Sequence, residues 1–221
     1  MSAYSLDDFI RDTGVSRETA ERLETHRTLL AAWSRRINLV GPGELQDYWR
    51  RHALDSQQLI ALAPGARRWL DLGSGAGFPG LVIALCLAEG HVDLVESNPK
   101  KAAFLREAVR ATGAKARVLE TKVEALADAG DGAGAYDVAT ARAFAPLNRL
   151  IASARPWLDQ GALGLFPKGA DHGAELVAAG FPPQGGAAGG LTAMVSVSVS
   201  DPRGRILAIR RALDSKDGSR A

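Results

Sequence analysis

The stretch from Trp69 to Gly80, Trp-Leu-Asp-Leu-Gly-Ser-Gly-Ala-Gly-Phe-Pro-Gly, is an apolar run that stops in a glycine-rich turn and restarts as the apolar segment Leu81 to Leu87. That order reads as strand, tight loop, helix. Glycines are wanted there because the turn needs positive φ and because backbone amides must come close to a ligand. Gly75-x-Gly77-x-x-Gly80 satisfies the dinucleotide pattern, which is a weak signal by itself. Asp71 shifts the reading: a pyrophosphate is poorly served by a fixed anion, whereas S-adenosylmethionine carries an ammonium and a sulfonium and no phosphate. The segment His91 to Glu96 then supplies a second strand ending in an acid, about 20 residues on, where a carboxylate is expected to take a ribose diol.

The rest of the chain fits around this unit. From Arg67 onward apolar strand-like and helix-like segments alternate, the pattern of a parallel sheet with helices on both faces. Strands are expected at 69–72, 91–96, 116–120, 136–141 and 161–166, and a closing hairpin at 193–200 and 205–212, joined by Asp201-Pro202-Arg203-Gly204, must be antiparallel. The expectation is a Rossmann-like α/β domain over 65–213 with a mostly parallel seven-stranded sheet. Residues 1–64 carry apolar residues at helical spacing and read as a helical extension packed on the sheet domain. Helices are expected at 5–12, 16–37 and 44–62. The glycines and prolines of 180–190 read as a mobile loop, and 214–221 as a disordered tail.

In open α/β sheets the ligand lies beyond the carboxyl ends of the strands. Asp71, Glu96, Val123-Glu124, Arg142 and Lys168 all fall at such ends. Within the helical extension, Arg51-His52-Ala53-Leu54-Asp55-Ser56 sets Arg51 one turn from Asp55 and His52 one turn from Ser56. Two readings stand: an i,i+4 ion pair with a satisfied histidine, or a polar cluster facing the cleft. The net charge of +2 leaves no room for a uniformly basic coat, so any polyanion must be met by local patches. The single cysteine, Cys86, excludes an internal disulfide and reads as plain core. No cationic leader and no membrane-length apolar run is visible, which points to a cytoplasmic protein.

With these blocks in view, the sequence resembles the small-subunit (16S) rRNA guanine-N7 methyltransferase G family, also called glucose-inhibited division protein B. The likeness runs from Trp33 to Ile209. It rests on Asn38-Leu39, the Arg51 to Ser56 block, Leu72 to Gly80, Glu96-Ser97 with Lys100 and Phe104-Leu105, Arg142-Ala143-Phe144-Ala145, and Lys168-Gly169. Phe78 stands where the family often has leucine and Ala76 where proline is common. The resemblance implies a class I methyltransferase fold with S-adenosylmethionine held by Gly73, Gly75, Gly77, Phe78, Glu96, Val123, Glu124 and Arg142. Arg51, His52, Asp55 and Lys168 are the candidates for the substrate side, where Arg142 or Lys168 could donate to guanine O6 and Phe78 or Phe144 could stack on a ring. The implied partner is 16S rRNA or the small ribosomal subunit, with no metal and no membrane, the protein acting as a monomer. Because guanine N7 has a free in-plane lone pair, no general base is expected and no catalytic residue is assigned. A methyltransferase for a small molecule and an NAD-binding Rossmann enzyme are the rival readings; the first is told apart by whether basic side chains ring the cleft mouth, and the second lacks a Tyr-x-x-x-Lys or comparable proton relay.

Overall fold

A computed structural model describes residues 4–41, 43–128 and 136–212. The glycine-rich segment around 130–134 and the expected tail at 214–221 lie outside the described residues. Buried apolar runs make five parallel strands: β1 (Arg68–Leu72), β2 (His91–Val95), β3 (Ala116–Leu119), β4 (Val138–Thr140) and β5 (Leu163–Lys168). Two longer antiparallel strands follow, β7 (Leu191–Val197) and β8 (Arg205–Arg211), and the sheet order is β3-β2-β1-β4-β5-β8-β7-β6. The extra member is β6 (Gly186–Ala188), which pairs antiparallel with β7. The sequence reading of 180–190 as a loop missed it, because three residues of glycine and alanine carry neither alternation nor a β-branched side chain. The seven expected strands are therefore present with a short eighth at the edge.

Register follows from burial. β1 pairs with β2 through Arg68↔His91 to Leu72↔Val95 and with β4 through Trp69↔Val138 to Asp71↔Thr140, so β1 is central. Its side chains alternate between two cores: Trp69 packs with the helices on one face, Leu70 and Leu72 with those on the other. The first face is covered by α1 (Leu6–Thr13), α2 (Arg17–Ser34), α3 (Asp55–Ala61), α4 (Gly80–Cys86) and α5 (Pro99–Thr112); the second by α6 (Val123–Asp128), α7 (Leu147–Leu158) and α8 (His172–Ala178). α7 runs on through Pro156 to Leu158.

Local chemistry sets the helix ends. Ser5 and Asp8 form a reciprocal capping box on α1, Ser16 caps α2, and Asn98 caps α5 ahead of Pro99 while Gly113 closes it at φ +61. Arg22 of α2 donates to the carbonyls of Thr112 and Gly113, both at 2.6 Å, so one helix caps the other across the layer. Phe9, Leu23, Leu30 and Leu59 of the helical extension are wholly buried against Trp69 and Leu81. At about 1.5–3 kcal/mol each, those four side chains alone rival the net stability of an ordinary domain, about 5–15 kcal/mol. The extension shares the core of the sheet.

Between α2 and α3 the backbone is not plain α-helix. Glu44–Asp47 form a 3-10 turn and Tyr48–Leu54 a π-helical segment, where continuous helix was expected. Segments of this kind are rare and gather at functional sites.

Candidate active site

The carboxyl ends of the parallel strands border one open cleft of about 950 Å³, facing the π-helical segment. Of the residues singled out from sequence, Gly73, Gly75, Phe78, Arg142, Arg51, His52, Asp55 and Lys168 line it. Gly77, Glu96, Val123 and Glu124 do not.

One wall is backbone. The N–H groups of Gly73 and Ser74 both donate to Val95 O at 2.9 Å, stitching the loop to β2, and Gly77 N–H donates to Ser74 O at 2.7 Å. Gly73 adopts φ +72, and a Cβ there would sit 2.4 Å from the Phe144 ring, so glycine is dictated by both backbone and space. Gly75 differs: its φ is +52, and a Cβ would meet nothing nearer than Gly73 O at 3.8 Å, leaving that face of the loop open. Glu96, expected at a ribose diol, supports the loop from behind, one oxygen accepting from Gly75 N–H at 2.9 Å and the other from Asn98 N–H at 2.7 Å. Each oxygen retains a lone pair. Val123 packs into the core at the start of α6 and Glu124 is exposed on its first turn.

Asp71 departs from its expected role. Instead of facing a cationic ligand it is fully buried beneath the loop, where Oδ2 accepts from Gly80 N–H at 3.1 Å and Oδ1 has no partner. Burial pushes its pKa up to about 7. A Cβ at Gly80 would lie 2.5 Å from Oδ2, so this glycine makes room for the carboxyl that anchors α4.

The opposite wall is built of side chains. Arg142, at the end of β4, is mostly buried and sends one terminal nitrogen to Arg51 O at 2.8 Å and Asp55 Oδ2 at 3.3 Å, and the other to His52 Nδ1 at 2.6 Å. The expected Arg51–Asp55 pair is not made. In a π-turn the backbone bonds run i to i+5, so a spacing of four no longer stacks these two side chains; Arg51 is exposed along the cleft and Asp55 pairs with Arg142. Asp55 Oδ1 is held in turn by Ser200 Oγ at 2.6 Å and Gln58 Nε2 at 3.0 Å.

His52 is defined by the same contacts. A guanidinium only donates, so Nδ1 is bare and the imidazole is neutral, carrying its proton on Nε2. Its ring stacks on Phe78 at 4.5 Å and 14°, with the Arg142 guanidinium 4.9 Å from the same ring. Burial, helped by the charge of Arg142, pulls the His52 pKa down to about 3. Phe78 is thus covered by protein groups. Lys168 is also engaged, donating to Glu175 Oε2 at 2.7 Å and Ala145 O at 3.2 Å, while the same Glu175 oxygen takes Leu147 N–H. Beside Arg142, Ala143 holds φ +53, an uncommon state for a residue with a side chain, in the segment that presents Phe144 to Gly73.

Sequence reasoning missed Glu175, Gln58, Ser198 and Ser200. The two serines, two apart in Ser198-Val199-Ser200, were readable as one polar face at the end of a strand; Glu175 left no signal. Among the described residues no cluster could hold a metal ion, and no helix is long and apolar enough to cross a membrane.

The model of the GidB family, described as rRNA small subunit methyltransferase G, matches residues 19–184. A Ribosomal RNA small subunit methyltransferase G from Rhodopseudomonas palustris is 53% identical over 177 residues, covering 77% of this chain and 72% of that one. The chain belongs to the rRNA small subunit methyltransferase G family. A member from Parvibaculum lavamentivorans extends the likeness to 96% of this chain and 91% of its own at 46% identity. Among solved structures, cofactor-bound Rv0187 from MTB superposes with a TM-score of 0.59 at 20% identity, over 96% of this chain and 99% of that one. An O-methyltransferase from Bacillus cereus in complex with SAH gives 0.55 at 16% identity, over 89% and 91%. This family member is accordingly a methyltransferase with the class I, S-adenosylmethionine-dependent fold.

Proposed function

We propose that the chain methylates N7 of one guanine in the decoding region of 16S rRNA, on the RNA or on the small ribosomal subunit, in the cytoplasm. The observation that carries the reading is the state of His52 and Asp55. A histidine pulled down to about 3 and already accepting from Arg142 has no capacity as a base near neutrality, and Asp55 accepts from Arg142, Ser200 and Gln58. A side-chain wall without a poised base suits a nucleophile that has no proton to lose. Guanine N7 is such a nucleophile.

The cleft fits the cofactor in the features that can be tested on it. Gly75 leaves the loop face open, and Glu96 keeps lone pairs beside it. Bound there by Gly73, Gly75 and Glu96, with Val123 and Glu124 further along the strand ends, S-adenosylmethionine would supply an electrophilic methyl group. The protein's own contribution is alignment, which is worth several kcal/mol when reacting atoms are held in line. Arg142 fixes the geometry of the side-chain wall from a position locked by three partners. Arg51 and Lys101 line the cleft without an ion pair among the described residues, which supports a polyanion over a small neutral substrate.

The test has two arms. Mass mapping of 16S rRNA from cells lacking and regaining the protein should show one guanine losing and recovering the mass of one methylene. Unchanged rRNA would sink the assignment. Single-turnover methyl transfer to 30S particles from about pH 6 to 9 should give a rate without an acidic limb, and Asp55→Asn should lower it without making it depend on hydroxide. A steep recovery of that variant with pH would make the carboxylate a general base and overturn the mechanism.

A further inference from the structure

Deep in the interface between the helical extension and the glycine loop lies His26 of α2, fully buried and untouched by any of the chemistry above. Its Nε2 is 2.9 Å from the carbonyl oxygen of Ala76, in the middle of the loop, and its Nδ1 is 3.0 Å from Tyr48 Oη. A carbonyl only accepts, so Nε2 carries the proton and Nδ1 is bare. The single Tyr48 hydroxyl proton then has two acceptors in reach, His26 Nδ1 at 3.0 Å and Leu23 O at 3.1 Å, and is shared between them. Tyr48 opens the π-helical segment that bears Arg51 and His52 and leads directly into Asp55 at the start of α3. One imidazole thus touches both walls of the cleft.

We infer that His26 is a positioning residue for methyl transfer: by donating to Ala76 O and accepting from Tyr48 Oη it fixes the glycine loop in register with the segment that carries His52 and Asp55. The two polar groups of the Ala76–Gly77 peptide are tied in opposite directions, the carbonyl to His26 and the Gly77 N–H to Ser74 O. Gly77 is explained by the same contact. A Cβ there would lie 3.2 Å from His26 Nε2 and 3.0 Å from Leu81 Cβ, so this glycine admits the imidazole and does not face the cleft. Phe78, next in the chain, packs its ring 5.3 Å from that of His26 and stacks on His52. The group that acts on the loop carbonyl therefore also fixes the start of the residue that meets Arg142. Among the described residues no carboxylate is bonded to the ring, and burial pulls its pKa down to about 4, which agrees with a neutral imidazole.

The inference rests on the loop being the S-adenosylmethionine site, and the experiment separates the two. His26→Phe keeps an aromatic ring and loses both hydrogen bonds; His26→Gln loses the ring and keeps a donor at the reach of Nε2. In the protein without ligand, amide hydrogen exchange of 76–78 should quicken about tenfold in His26→Phe and stay near wild type in His26→Gln, as the loss of one neutral buried hydrogen bond allows. Titration with S-adenosylhomocysteine should follow the same order, about tenfold weaker for His26→Phe and within about twofold for His26→Gln. A residue needed only for packing gives the reverse order, with phenylalanine tolerated and glutamine not, and that result overturns the inference. Wild type failing to bind S-adenosylhomocysteine would refute the cofactor reading and leave the exchange measurement to decide the role of His26. Should His26→Phe not fold, Tyr48→Phe removes only the hydroxyl and is expected to quicken loop exchange by about threefold; no change there overturns the inference.

Discussion

The two walls of the cleft are made of different material and held in different ways. The glycine side presents main chain to the cleft, with Asp71 and His26 behind it as supports and Glu96 holding the Gly75 N–H. The facing side presents Arg142, His52 and Asp55 to the cleft, and their supports are other side chains and a carbonyl from the helical extension. A backbone wall tolerates no added volume, since its shape is its function. A side-chain wall tolerates volume better and suffers when one member leaves the others unpaired. Mutations on the two sides should therefore fail for different reasons.

The largest expected effect is at Gly73. Gly73→Val puts a β-branched residue at φ +72 and drives its Cβ into Phe144, which the strained turn at Ala143 keeps in place. Together these costs exceed about 2.7 kcal/mol, so S-adenosylhomocysteine affinity measured by calorimetry should fall more than about a hundredfold while the circular dichroism of the fold is retained. The same change at Gly75, where a Cβ meets open space, should cost the fold less and bind no better. Equal tolerance at both positions would break the claim that the loop's shape is the binding element.

A smaller and qualitatively different loss is expected at Arg142. Arg142→Ala strips His52 Nδ1 of its donor and Asp55 Oδ2 of its cation in a buried site. Cofactor affinity and single-turnover rate should drop together by about tenfold or more each, and Arg142→Lys should not restore them, because an ammonium cannot reach His52, Asp55 and the Arg51 carbonyl in one plane. Loss of rate alone, with cofactor binding intact, would confine Arg142 to the substrate side and sharpen the division between the walls.

The same contrast explains what could be read in the sequence. The backbone wall was legible because its requirements are local: glycines at fixed spacing after an apolar run, and an acid at the end of the next strand, lie within 28 residues of one another, Trp69 to Glu96. The side-chain wall was only half legible. His52, Asp55, Arg142 and Lys168 were singled out, but not their pairing, since Arg142 reaches partners 87 to 91 positions away and a π-helical segment turned Arg51 off the face it was expected to share with Asp55. Asp71 shows the limit of local reading from the other side: its position was right and its direction was not, because nothing in Asp-Leu-Gly tells whether the carboxyl points over the loop or under it. β6 escaped because glycine and alanine carry no pattern, and it is the neighbouring strand that gives it a partner.

The smallest effect concerns Asp71, and it asks whether the support behind the backbone wall acts through charge at all. Its carboxyl is raised by burial from 3.8 to about 7, the opposite of a carboxylate held by a cation. Between those values the folded protein holds a proton that the unfolded chain has released, so this group's contribution to stability falls as pH rises through that window and levels off above it. From pH 6 to 8, across a folded pKa near 7, the loss is on the order of 1 kcal/mol. Asp71→Asn cannot ionise, yet its amide oxygen still accepts from Gly80 N–H. Urea unfolding of wild type and variant at each pH should therefore show wild type losing on the order of 1 kcal/mol relative to Asp71→Asn over that range, whatever His52 and the other titrating groups add to both. Affinity for S-adenosylhomocysteine should stay within about twofold, because the oxygen that anchors α4 is retained. A large loss of affinity with no pH-dependent difference in stability would mean that the Asp71 charge reaches the ligand through the loop, and the separation of support from contact on that wall would have to be abandoned.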